Sequence, residues 1–176
     1  MTDLQSYLRD HFARAGITAA PDVASVTFVG LHPIDVLRFG PDGDGTFHYV
    51  SVGGSRHDDA TRAEVVVSLR GTAVPAGLAR SVAVLAAAPV VEGLQLTVDA
   101  LVDLGQPLWQ GAPFTAVLLG DSGIAPSGEV QFLQATPITQ NEAAWVRLKG
   151  PKEMRQAWDE DGVDLLDAAR PAGRPR

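Results

Sequence analysis

The stretch VQFLQATPITQNEAAWVRLKG, residues 130–150, decides the fold of this chain. Its first half is an apolar run typical of a buried strand, and Pro137 is expected to break that strand because proline cannot donate to a ladder. Thr139 and Glu142 then have the T-x-x-E spacing of a capping box, in which each side chain bonds a free amide of the first helical turn. The stretch therefore predicts a strand that passes through a proline into a capped helix.

Bulk composition indicates one folded domain. The chain has 176 residues, of which 45% are hydrophobic, and a domain of this size folds without cross-links. It contains no cysteine, which excludes disulfides and thiolate metal sites. The formal net charge of −7 disfavours nucleic acid as a partner and favours a basic protein. There is no signal-peptide or membrane-span pattern, so we expect a cytoplasmic protein with no membrane contact.

Alternating and apolar runs predict an α/β (α+β) fold, a mixed central sheet packed by helices. The expected strands are at residues 25–31, 34–40, 46–53, 62–69, 114–120 and 129–138. The run RAEVVVSL at 62–69 is almost continuously apolar, which is typical of a central strand. Helices are predicted at 3–15 and at 76–88, with Pro89 ending the second. Residues 169–176 contain no large apolar side chain that could be buried and are predicted to form a disordered tail, which leaves 1–168 as the domain.

Three blocks of this sequence resemble the Suppressor of fused family. They are FHYVSVGGS with RAEVVVSL at 47–69, GQPLWQGAPFTAVLLG at 105–120, and the P-I-T-x-x-E pattern inside 130–150. The order and spacing of these blocks carry the resemblance. The chain departs from the family at 92–105, where EGLQLTVDALVDLG lacks an aromatic Gly-Thr-Trp-type patch.

The resemblance implies a non-enzymatic domain that binds a protein or peptide and takes no cofactor. Animal members restrain a transcription factor by clamping one of its peptides, and bacterial members often resemble immunity proteins that neutralise a polymorphic toxin. We therefore expect a protein partner, such as a basic toxin domain, bound by loops 53–62 and 90–113. The candidate partner-binding residues are Arg56, His57, Asp58, Asp59 and Trp109.

One cluster of titratable residues leaves an enzymatic alternative open. The segment SRHDDATRAE at 55–64 contains His57, Asp58, Asp59 and Glu64, which are residue types that bind Zn or Mn or act as general bases. This alternative is a metal-dependent or other hydrolase centred on the 55–64 loop. The simpler interpretation is a solvated loop between two strands.

Two short motifs are interpreted as turns. The segment PDGDGT at 41–46 has the Asp-Gly chemistry of a hairpin and lacks the distal ligands of a calcium loop. The tetrapeptide Gly-Asp-Ser-Gly at 120–123 occurs in some serine proteases, but a triad also needs a His and an Asp placed beside the serine. Asp121 and Ser122 are ordinary turn formers.

Overall fold

The computed structural model describes residues 3–56, 62–71 and 75–175. Within them, the helices and strands follow each other in a mixed order, with a short 3-10 turn after the third strand. In chain order they are α1 Leu4–Arg14, β1 Asp22–Val26, β2 Ile34–Phe39, β3 Thr46–Val52, the turn Gly54–Arg56, β4 Ala63–Arg70, α2 Leu78–Glu92, β5 Leu101–Asp103, β6 Phe114–Asp121, β7 Gln131–Thr139, α3 Gln140–Lys149 and α4 Pro151–Glu160.

The strands form one mixed sheet in the order β1-β2-β3-β4-β7-β6-β5. Neighbouring strands are antiparallel except β4 and β7, which run parallel. The predicted mixed sheet packed by helices is thus confirmed. Strand β4 is central, as its apolar run predicts, and only Arg70 at its end is exposed.

Helices on both faces of the sheet define three hydrophobic clusters. Helix α2 packs on one face through residues such as Val82, and this is the first core. On the other face, α1 covers one end through Phe12, which is the second core, while α3 and α4 cover the other end through Met154, which is the third core. Alternation along β4 sends Val65 to the first core and Val66 to the second.

Helices α1 and α3 each begin at a side-chain cap. Asp3 precedes α1, and its Oδ1 accepts a hydrogen bond from the Gln5 amide at 3.1 Å. At α3, the Thr139 hydroxyl accepts from the Glu142 amide at 3.1 Å, and Glu142 Oε1 accepts from the Thr139 amide at 2.9 Å. The predicted capping box is therefore confirmed.

The first strand lies earlier than predicted. We expected it at 25–31, but β1 ends at Val26, whose partner in the ladder is Ile34. A turn follows, in which the Leu31 amide donates to the Phe28 carbonyl at 3.2 Å. Phe28 still packs against the first core after the backbone has left the sheet. The apolar alternation therefore continues past the end of the strand, because Phe28 is partly buried although it is not part of the ladder.

The second helix does not end at Pro89, as predicted, but continues to Glu92. A proline inside a helix loses the bond to the carbonyl four residues earlier, and here it does so only in the last turn. Gly93 ends the helix in a left-handed conformation, with φ of 69°, and its amide donates to the Pro89 carbonyl at 3.1 Å. Glycine adopts this conformation without a Cβ penalty, so it is the effective stop.

Pro137 does not break β7, which continues to Thr139 with Pro137 opposite Val117. The pairing of β7 with β4 extends only to Gln134, so beyond that residue one side of β7 has no neighbouring strand. The Pro137 carbonyl faces this open side, where it accepts from Arg170 Nη2 at 2.8 Å. The N–H and C=O of one strand residue point to the same side, so the proline removes no bond to β6.

The described part of the C-terminal segment, through residue 175, also differs from the disordered tail predicted for 169–176. The Arg70 amide donates to the Leu166 carbonyl at 2.8 Å, and Asp167 forms a parallel bridge with Arg70. Arg170 is then buried, with 3% of its surface exposed. The segment has no large apolar side chain, but its ionic and backbone bonds hold it against the sheet.

Candidate functional site

The loop after β3 is held at its base by one buried carboxylate. Glu64 on β4 is fully buried, and its two oxygens accept five hydrogen bonds from residues 51–55. The donors are the Ser51 hydroxyl at 2.7 Å, the Gly53 amide at 3.0 Å, the Gly54 amide at 3.2 Å, the Ser55 amide at 3.1 Å and the Ser55 hydroxyl at 2.6 Å. A carboxylate so surrounded by donors fixes the backbone that leaves β3.

Helix α2 confines the same turn from the other side. A Cβ on Gly54 would lie 2.6 Å from the Ala86 carbonyl oxygen, so only glycine fits there without movement of the helix. Arg56 follows at the end of the turn and is exposed. The sheet and α2 therefore hold the turn that ends at Arg56, and the partner-binding role of Arg56 stays a prediction.

Three of the other predicted binding residues, His57, Asp58 and Asp59, lie outside the described residues, and their role stays a prediction. Where the description resumes, the Arg62 carbonyl accepts from the Gln131 amide at 2.9 Å. The loop thus returns to the sheet beside the start of β7.

Glu64 does not fit the metal-site alternative. Both of its oxygens are occupied by the donors of the 51–55 turn, so the carboxylate is not available to a cation in the loop. Within the described ranges, no group of three or more His, Cys or acidic side chains is placed to hold a metal ion. The role of Glu64 that sequence reasoning missed is structural.

Trp109 is a core residue in this structure. Its side chain is 8% exposed, belongs to the first core, and lies 5.5 Å from the Phe114 ring between centroids. An indole in this position offers little surface to a partner. Its predicted contact with a partner stays a prediction.

The two short motifs form turns. Asp42 Oδ1 accepts from the Asp44 amide at 2.9 Å and from the Thr46 amide at 3.0 Å, which closes the 41–46 hairpin. The Ser122 hydroxyl donates to the Phe132 carbonyl at 2.6 Å and accepts from the Ile124 amide at 3.1 Å. Both hydrogen bonds hold that hydroxyl within the turn.

A polar seam crosses the sheet between the second and third cores, on the face that α1 and α4 share. We give this name to the side chains of Asp42, His48, Ser68, Gln134 and Thr136. His48 Nε2 lies 3.2 Å from Asp42 Oδ2, and His48 Nδ1 lies 2.8 Å from Ser68 Oγ. The Gln134 amide donates to Ser68 Oγ at 3.1 Å. The sequence signal for the seam is a set of polar positions inside otherwise apolar strands.

In the part of the chain that the structure describes, no helix is both long and apolar enough to cross a bilayer.

The comparisons with known proteins agree on one family. A family model described as Suppressor of fused protein (SUFU) matches residues 30–171. No curated protein gives a significant match. A solved homologue from Neisseria gonorrhoeae superposes with a TM-score of 0.75 at 21% identity, covering 95% of this chain and 92% of that one.

Two further solved structures share the fold. A chain of the Sufu–Fu complex matches with a TM-score of 0.67 at 12% identity, over 96% of this chain and 89% of that one. Drosophila Suppressor of Fused matches with a TM-score of 0.67 at 16% identity over 96% of this chain, which spans only 49% of the Drosophila protein. Since the family model covers most of its residues, this chain belongs to the Suppressor of fused family.

Proposed function

We propose that this protein is a non-enzymatic module that binds a protein or peptide partner through the loop that follows β3. The observation that carries the proposal is the rigid base of that loop, where Glu64 and α2 hold residues 53–55 and leave Arg56 exposed. A preorganised base lowers the entropic cost of binding. The fold likeness to a chain solved in the Sufu–Fu complex supports the same class of function.

Charge favours a basic partner. The net charge is −7, and a field of this sign accelerates encounter with a positively charged surface. In its most specific form, the proposal is an immunity protein that neutralises a basic polymorphic toxin domain in the cytoplasm. The absence of cysteine suits a reducing compartment.

The proposal is tested by co-expression with tagged toxin domains encoded by neighbouring genes. We expect one of them to co-purify in a stoichiometric complex whose affinity falls with rising salt, because the attraction is electrostatic. Failure to retain any of them, together with stoichiometric binding of a small molecule, contradicts the proposal.

Arg56→Ala is expected to weaken that complex at least about fivefold, the effect of losing one well-placed contact of about 1 kcal/mol. The matched control is Arg80→Ala, which removes an exposed arginine from α2. Calorimetric titration of both variants gives the comparison. Equal affinities for the two variants would place the interface away from the loop.

A further inference from the structure

The polar seam forms the floor of two adjoining cavities. One, of about 270 Å³, lies towards α1, and the other, of about 250 Å³, lies towards the turn before residue 167. His48, Ser68 and Gln134 line both. In a sheet covered by helices on both faces, the strand positions between helices are normally apolar. Polar side chains at the floor of a groove suggest an occupant that forms hydrogen bonds.

The hydrogen-bonded chain of the seam begins at the Asp42 carboxylate and continues through His48 and Ser68. Burial raises the pKa of this carboxyl, but hydrogen bonds from the Thr46 amide, the His48 ring and the Asp44 amide outweigh burial and hold the pKa below its ordinary value. Asp42 is therefore ionised at neutral pH and accepts a hydrogen bond from the N–H at His48 Nε2. In the neutral ring, this tautomer leaves Nδ1 to accept from the Ser68 hydroxyl.

The hydrogen bond between Ser68 and Gln134 determines how the Gln134 side-chain amide is oriented. The Ser68 oxygen accepts from the Gln134 NH₂ group at 3.1 Å. This assigns the orientation of the Gln134 amide and turns its Oε1 away from Ser68. Neither this oxygen nor the Thr136 hydroxyl has a hydrogen-bond partner among the described residues, and both residues line the 250 Å³ cavity. The cavity thus offers acceptors to an occupant.

The apolar wall of the 250 Å³ cavity and the charges near it indicate which kind of hydrogen-bond donor would fit there. Leu165 and Leu166 form an apolar wall of the same cavity, which suits an aliphatic stem. Near this wall, Arg70 is paired with Asp164 and interacts electrostatically with Asp44 and Asp167. Arg170, whose Nη2 donates to the Pro137 carbonyl of the same cavity, is paired with Glu142, so these carboxylates outnumber the two arginines. An occupant with an apolar stem and a cationic, donor-rich head satisfies all of these groups.

We infer that the seam is a recognition site for an arginine side chain of the partner, with the stem along Leu165 and Leu166 and the guanidinium on Gln134 and Thr136. The guanidinium carries five donors in a planar fork and no acceptor, which matches two outward-facing acceptors. The inference rests on the proposed function, since it assigns one residue of the partner, but it uses a different surface from the 53–62 loop.

The test uses the purified protein and Nα-acetyl-arginine amide as the probe. NMR spectra of the Gln134 side-chain amide and the His48 ring are expected to shift saturably during titration. Nα-acetyl-citrulline amide has nearly the same shape but is uncharged. Its affinity is expected to be lower by at least about tenfold, because hydrogen bonds to a charged group are the stronger ones. Equal binding of the two compounds, or no saturable shift with the arginine compound, overturns the inference.

Thr136→Val removes one acceptor with little change of shape, and it is expected to weaken arginine binding about tenfold. Thr97→Val, the same change at an exposed position, is expected to leave binding unchanged. Unchanged affinity for arginine in Thr136→Val contradicts the inference. Labelling of Ser68 by a fluorophosphonate also contradicts it, because the Ser68 hydroxyl would then be a nucleophile activated by His48 and Asp42. If a protein partner binds the Thr136→Val variant at full strength, the inference fails while the proposed function stands.

Discussion

Glu142→Ala is expected to destabilise the protein by about 3–5 kcal/mol, because it leaves a buried arginine without its counter-charge. Glu142 and Arg170 are almost fully buried, with side-chain exposures of 0% and 2%. The pair is bidentate, with both N···O distances at 2.9 Å. A total stability of about 5–15 kcal/mol is usual for a domain, so the loss is a large fraction of the whole.

The effect is large because Glu142 joins three parts of the chain. Besides Arg170, its oxygens accept from Trp158 Nε1 at 2.7 Å, from the Gly173 amide at 2.8 Å and from the Thr139 amide at 2.9 Å. Alanine removes all of these acceptors at once. The start of α3, the indole on α4 and the C-terminal segment then lose their common contact.

Urea unfolding followed by circular dichroism measures the loss. The control is the double variant Glu142→Leu with Arg170→Met, which replaces both charges by apolar groups and is expected to be less destabilised than Glu142→Ala, since no buried charge remains unpaired. If the free energy of unfolding of Glu142→Ala lies within about 1 kcal/mol of that of the parent, the buried ion pair does not stabilise the protein as expected.

Acid is expected to weaken the same contact. Burial raises the pKa of Glu142, but hydrogen bonds from Arg170 and from the amides of Thr139 and Gly173 outweigh burial and hold the pKa below its ordinary 4.5. The ionised form therefore adds stability that is fully present above pH 4.5 and is lost as the pH falls through the lower, folded-state pKa. The stability gap between parent and Glu142→Gln should narrow between about pH 7 and about pH 3. A constant gap would mean that the carboxylate is not the stabilising form.

The parts of this fold that follow from local pattern could be predicted. The apolar run of β4, the amphipathic α1 and the T-x-x-E cap each specify a structure within a few residues, because burial and capping act locally. Glu142 belongs to this cap, but it also forms a buried ion pair with Arg170, which lies 28 residues later. No spacing rule in the sequence connects these two residues.

The error at Pro137 also has a non-local cause. Proline is excluded from a strand only where its nitrogen faces a neighbouring strand, and the early end of the β4–β7 pairing removes that neighbour at Pro137. The polar seam was missed for a related reason. Ser68 and Gln134 are 66 residues apart and meet only because β4 and β7 run side by side.

Glu64→Gln is expected to destabilise the protein by about 2–4 kcal/mol and to loosen the turn that carries Arg56. The described donors to Glu64 are all neutral groups, two hydroxyls and three amides. Glutamine keeps the volume but replaces one acceptor oxygen by an NH₂ group, which faces donors that then lose their partner. Buried donors without a partner are the larger part of the loss.

The readouts are urea unfolding and hydrogen exchange of the Gly53, Gly54 and Ser55 amides, whose protection should fall more than that of β4. Glu129→Gln is the control, because its side chain is 80% exposed and surface changes of this kind stay within about 0.5 kcal/mol. A Glu64→Gln variant that matches this control, with unchanged exchange at the three amides, would show that the carboxylate does not hold the loop. If exchange does quicken, partner affinity should fall with it even though Arg56 is intact, since the loop would have to be ordered during binding.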